Sequence, residues 1–274
     1  MSVAAELDGP TRISRAFARA KDEGRAALII YLTACYPDAE ISAACFEAAV
    51  EAGADILEVG IPFSDPMMDG PVIQAANQHV LDAGTTVTDQ MAMIGSLRHL
   101  DVPKLAMTYV TIADTRGYPR FADELADAGL SGVILPDLPV AEAAPWLEEA
   151  ERRGLATVFL ASSVSTDERL AQIGAHSSGW VYATGLLGVT GVKAVSGTLT
   201  EPLVRRVREH TDLPVAVGIG VKDRASAAEV ARYADGVIIG SSLLSAVADG
   251  DPAGAPGRVA RLVGELRAGV AEVG

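Results

Sequence analysis

A chain of 274 residues with 49% apolar residues can bury a large core, which is long for a β-sandwich and ordinary for one α/β barrel. Acidic residues outnumber basic ones 36 to 22, for a net charge of −14, and no Lys or Arg cluster breaks that pattern; a nucleic-acid or anionic-membrane partner is not expected. Cys35 and Cys45 are too few for a disulfide framework and lack metal-ligand spacing, the N-terminus has no leader pattern, and no apolar run nears the roughly 18 residues that cross a bilayer. The expectation is a cytoplasmic protein with no metal.

Along the chain, residues 1–10 are expected to be disordered within a single domain spanning 1–274, and residues 11–24 form an amphipathic helix. Short apolar, β-rich runs then alternate with longer amphipathic segments to the end of the chain, the pattern of βα units in a parallel sheet. Eight runs are predicted as strands: 27–33, 55–61, 103–110, 132–136, 156–161, 180–184, 214–218 and 236–240. Helical patterns such as 43–53 and 201–210 lie between them, and the helix-end phrases at 52–54, 128–130 and 233–235 each precede a strand, so one unit repeats. The predicted fold is α/β, a (β/α)8 TIM barrel with an additional N-terminal helix plugging or flanking its floor. An open doubly wound sheet competes, but YLTACYP (31–37) after the first strand lacks the glycine spacing of a dinucleotide site.

Catalytic groups of such barrels sit at the C-terminal ends of strands. Read by twos, the second run places Leu57, Val59 and Ile61 on one face and Ile56, Glu58 and Gly60 on the other, so Glu58 faces the barrel interior just under its mouth. A buried, unpaired carboxylate costs several kcal/mol, so Glu58 is either paired or used. Burial raises its pKa toward the range in which one group both gives and takes a proton. Asp65 before Pro66 and Asp69 before Gly70 follow in the loop, where turn chemistry is the default reading.

GIG (218–220) and GSS (240–242) end the seventh and eighth runs, the two places where barrels commonly hold phosphate on backbone N–H groups and a helix N-terminus. The loop at 185–197 has four glycines and Lys193, and reads as a lid over substrate. His79, His99, His176 and His210 fall away from strand ends, Lys104 and Lys222 lie outside the barrel, and Cys35 reads as a packing residue. Together these features suggest a phosphorylated small molecule whose reacting end meets Glu58.

EVGIPFSDP (58–66), DGPVIQ (69–74), PDLP (136–139), STDER (165–169), GVTG (188–191) and the two Gly-rich strand ends resemble the α subunit of tryptophan synthase, in order and spacing from about residue 11 to the final helix. The resemblance implies cleavage of indole-3-glycerol phosphate to indole and glyceraldehyde 3-phosphate with no cofactor, beside a β subunit as partner. It makes Glu58 the general acid and base and Asp69 the ionised acid, in a more solvated loop, facing the indole nitrogen. Tyr31, Met107, Tyr109, Ile134, Tyr182, Thr190 and Ile219 match substrate-binding positions, and Gly191, Gly220, Gly240 and Ser241 match the phosphate cradle. Cys35 stands where the family usually has glycine, Met67 and Met68 fill a variable pair, Val110 follows Tyr109 where Asn-Pro is common, and Gly185 replaces a serine. The resemblance implies that the loops after the second, third and sixth runs dock the β subunit, and all of these departures but Cys35 fall there. They leave room for a stand-alone indole-releasing lyase or a non-catalytic activating subunit beside the ordinary α subunit.

Overall fold

A computed structural model describes residues 7–184, 200–218 and 220–272. Nine parallel strands form one sheet: β1 Ala27–Thr33, β2 Ile56–Gly60, β3 Lys104–Met107, β4 Gly132–Ile134, β5 Ala156–Val158, β6 Leu160–Ser162, β7 Val181–Thr184, β8 Val215–Val217 and β9 Gly236–Ile239. Around it lie α1 Gly9–Asp22, α2 Ala39–Glu51, α3 Pro71–Asp82, α4 Val87–Ser96, α5 Val110–Arg116, α6 Tyr118–Asp127, α7 Ala144–Arg152, α8 Asp167–His176, α9 Thr200–Arg208, α10 Arg224–Ala231, α11 Ser241–Ala248 and α12 Ala255–Val270. No helix among the described residues is long and apolar enough to cross a membrane.

The sheet runs β5-β4-β3-β2-β1-β9-β8-β7-β6, and its two ends belong to the same stretch of chain. The run predicted as one strand at 156–161 is therefore two. β5 pairs with β4, the chain bends at Phe159, and β6 pairs with β7, while the Phe159 carbonyl accepts the Tyr182 N–H at 3.1 Å. That bend closes the barrel. The third run also ends early, at Met107 rather than 110, because the Asp137 carboxylate accepts the Val110 N–H at 2.8 Å and starts α5 there.

Alternation along the strands sorts side chains into two layers. Ile29, Ile56, Leu105, Ile134, Val158, Ala216 and Ile238 meet inside the barrel, whereas Leu57, Val59 and Ile61 join the layer between sheet and helices, as predicted. Each fully buried branched side chain stabilises the fold by about 1.5–3 kcal/mol.

Helix α1 closes the floor. Ile13, Ala16, Phe17 and Ala20 lie on its buried stripe and join the inner layer, with the Phe17 and Trp180 rings 6.0 Å apart. Of the terminal segment 1–10, residues 7–10 are described, with α1 starting at Gly9, and 1–6 lie outside the described residues. Asp8 accepts the Thr11 N–H at 2.9 Å, Pro10 occupies the first turn, and the Gly9 N–H donates to the Gly154 carbonyl at 2.8 Å. A Cβ at Gly9 would overlap the Ser131 carbonyl, so glycine is what lets the helix start this close to the sheet.

Candidate active site

Glu58 sits in β2, level with Tyr31 of β1 and Leu105 of β3. It is 1% exposed, and its Oε1 has no hydrogen-bond partner. Burial pushes its pKa up to about 8, and no cation among the described residues opposes the shift.

Asp69 lies just before α3 and differs from its expectation. It was placed in a solvated loop, yet it is 4% exposed. Desolvation raises its pKa to about 6, and hydrogen bonds from Tyr109 and Asn77 hold it below where burial alone would put it. Asn77 donates from Nδ2 to the Asp69 carboxylate at 3.2 Å, and its own Oδ1 accepts the Thr33 hydroxyl at 3.4 Å. Thr33, Asn77 and Asp69 are all buried, so hydrogen bonds rather than water favour the charged form here. Asn77 and Thr33 were not singled out from sequence. The available signal was an amide on the apolar stripe of α3, among Ile73, Ala76 and Val80.

Two tyrosines complete the mouth. Tyr31 and Tyr182 are nearly buried, and both phenols are raised by desolvation first and then by the charges of Asp69 and Glu58. A Cβ at Gly60 would overlap the Tyr31 hydroxyl, and one at Gly218 would overlap the Tyr182 hydroxyl. Those two glycines, at the end of β2 and just after β8, let the rings lie across neighbouring strands. Met107 and Ile134 are paired neighbours at the ends of β3 and β4 and pack with the inner layer, which places an apolar wall beside the carboxylates. Tyr109 is 3% exposed, and its hydroxyl accepts the Met68 N–H at 2.9 Å.

Gly240 forms the N-cap of α11 and supplies no side-chain cap, so the first-turn N–H groups of Ser241 and Ser242 lack intrahelical acceptors, while Leu243 and Leu244 donate to the Gly240 carbonyl. Both Ser241 and Ser242 are partly buried, and the Ser242 hydroxyl, also missed from sequence, is a buried oxygen with no partner. Gly220 is exposed with φ +77°, a conformation that glycine tolerates best. Thr190, Gly191, Ile219 and the lid predicted at 185–197 lie outside the described residues.

Among the described residues no group of three His, Cys, Asp or Glu side chains is placed to hold a metal. Lys104 lies outside the barrel as expected but is not solvated. It is 1% exposed, its Nζ donates to the Leu100 and Val102 carbonyls at 2.9 and 3.2 Å, and desolvation lowers its pKa to about 8. Cys35 is buried with φ +62°, which accounts for glycine being usual at this turn.

The family model described as tryptophan synthase alpha chain matches residues 17–268. The chain is 49% identical over 256 residues to the tryptophan synthase alpha chain of Streptomyces coelicolor, covering 92% of this chain and 94% of that one. It is 48% identical to the counterpart from Streptomyces avermitilis over 260 residues, 94% of each chain. Among solved structures, tryptophan synthase from Mycobacterium tuberculosis superposes with a TM-score of 0.88 at 42% identity, covering 97% of this chain and 99% of that one.

Proposed function

The chain belongs to the tryptophan synthase alpha chain family, and from that premise we propose how the mouth of its barrel performs the chemistry of that subunit. The reaction is aldolase-type cleavage of indole-3-glycerol phosphate in tryptophan biosynthesis, and the α subunit works with a β subunit. The observation that carries the assignment of Glu58 is its burial with one carboxylate oxygen, Oε1, lacking a hydrogen-bond partner. With a pKa near 8 the carboxyl holds its proton at neutral pH, while Asp69, near 6, is mostly ionised.

Glu58 gives its proton to the indole ring carbon that bears the side chain. The ring nitrogen then carries positive charge, which the Asp69 carboxylate stabilises. Glu58, now ionised, takes the proton of the neighbouring side-chain hydroxyl. The bond between ring carbon and carbinol carbon breaks, its electron pair returns to the ring, and an aldehyde forms. Glu58 ends protonated, so one residue serves as acid and base within a turnover. Tyr31, Tyr182, Met107 and Ile134 flank the flat ring, with Ile219 and Thr190 adding to that set. The phosphate is held on the uncapped start of α11 through Gly240 and Ser241, with Gly220 and Gly191 assigned to the same cradle. We place the protein in the cytoplasm, where its two free, buried cysteines stay reduced.

The test is indole release from indole-3-glycerol phosphate by the purified chain, with and without β subunit. Slow release that rises strongly on adding β subunit is expected. No release in either condition would remove the substrate assignment, and fast release indifferent to β subunit would remove the partner dependence.

A further inference from the structure

Tyr31 stands in β1 level with Glu58 of β2, and its ring reaches both neighbouring strands. On the β2 side, a Cβ at Gly60 would stand 2.2 Å from the Tyr31 hydroxyl and 2.6 Å from the ring carbon that bears it. Gly60 comes two residues after Glu58, so it lies on the same inward face, one step nearer the mouth. The phenol oxygen therefore hangs just above the catalytic carboxyl. On the β9 side, a Cβ at Gly240 would meet Tyr31 Cδ1 at 3.2 Å and Tyr31 Cβ at 3.3 Å. The whole side chain is 5% exposed.

Tyr31 thus spans the gap between two ends of the site. At one end Gly240 opens α11, where the reading above puts phosphate, and at the other stands Glu58. The three-carbon chain of indole-3-glycerol phosphate must cross the same gap, with its phosphate at α11 and its carbinol carbon at Glu58. We propose that Tyr31 is a further catalytic residue of the cleavage: its phenol O–H donates to the carbinol oxygen while Glu58 takes that hydroxyl's proton. This inference rests on the reading of Glu58 as acid and base. It gives the phenol oxygen a task beyond flanking the flat ring.

As the carbinol O–H bond breaks, its proton goes to Glu58, the oxygen forms the aldehyde double bond, and the pair from the broken carbon–carbon bond returns to the ring. While the proton is leaving, the oxygen carries extra negative charge, and a donor stabilises that stage more than it stabilises the starting hydroxyl. Tyr31 keeps its own proton throughout. Burial, and then the charge of Asp69, hold its phenol above the ordinary range, so it donates without ionising. Tyr182, the other phenol of the mouth, is placed differently, with its hydroxyl over Gly218 just after β8.

The experiment uses the complex with β subunit and two ligands: the substrate, and an analogue that keeps indole, three-carbon chain and phosphate but lacks both chain hydroxyls. Tyr31→Phe removes only the oxygen. It is expected to lower kcat about tenfold with KM within about twofold. Because the ring still packs, the inhibition constant of the hydroxyl-free analogue should stay within about twofold. Tyr31→Leu removes the ring as well and is expected to weaken the analogue about tenfold. Undiminished kcat in Tyr31→Phe would overturn the proposal. So would a loss of analogue affinity in Tyr31→Phe as large as the loss of kcat, which is a packing effect, or an analogue indifferent to Tyr31→Leu, which places the ring away from the ligand. Undiminished turnover in Glu58→Gln would instead overturn the reading of Glu58 beneath it.

Discussion

The floor and the mouth of the barrel each bury a carboxylate, three residues apart in sequence, and treat it in opposite ways. At the floor, Asp55 accepts two bonds from Arg25, at 2.5 and 2.9 Å, and a third from the Leu28 N–H at 2.8 Å. At the mouth, Glu58 has an unpartnered oxygen and, among the described residues, no cation acting on it. Both groups have lost their water, and the difference lies only in what replaced it. Asp55 joins α1, β1 and β2 as a structural ion pair, while Glu58 remains a destabilising residue whose proton is available for chemistry.

The sharpest way to break this comparison is Glu58→Gln, which keeps the shape and removes the proton. Indole formation should fall by about 10²–10⁴-fold while thermal stability holds or rises, read by product assay and melting together. Asp55→Ala is the floor counterpart. It leaves Arg25, with a side chain only 3% exposed, short of its main partner, and should cost about 3–5 kcal/mol of stability in denaturant titration.

A third expectation concerns pH. The folded pKa of Glu58, about 8, lies above its ordinary 4.5, so the folded state holds this proton more tightly than the unfolded chain does. Its contribution to stability is fully present below about 4.5 and is lost as pH rises through 8, a decline of a few kcal/mol that Glu58→Gln should remove. Equal pH dependence in the two proteins would contradict the unpaired state of Glu58. The smallest effect belongs to Gly218→Ala. The added methyl meets the Tyr182 hydroxyl and displaces the ring, so kcat/KM should drop about tenfold with the melting temperature nearly unchanged.

The inward aim of Glu58 was legible because alternation is local: Leu57 and Val59 declare the outer face, and Glu58 follows by parity. The barrel was legible for the same reason, since each apolar run and each amphipathic segment announces itself. The bend at Phe159 was not, because nothing within 156–162 marks the residue at which pairing passes from β4 to β7. Nor was the burial of Asp69. Its surroundings depend on Asn77, eight residues on, and on Tyr109, whose bond to Met68 spans 41 positions. A turn dipeptide, Asp69-Gly70, looks solvated until those distant partners are known.

The closing of the sheet at Phe159 also orders events in time. Strands β1 to β5 are neighbours in chain order, so this arc can assemble as soon as residues 27–158 exist. The other edge of β1 is different: Ala27 to Ile30 pair with Gly236 to Ile239, more than 200 positions later. Until that stretch is made, β1 is an open edge of fully buried-type residues, and the plug α1, whose Phe17 meets Trp180 in the second arc, has only half its seat. The nascent chain is thus most prone to sticky, edge-on association just before its last strand arrives, and loss of β9 should turn a folded barrel into an aggregating arc.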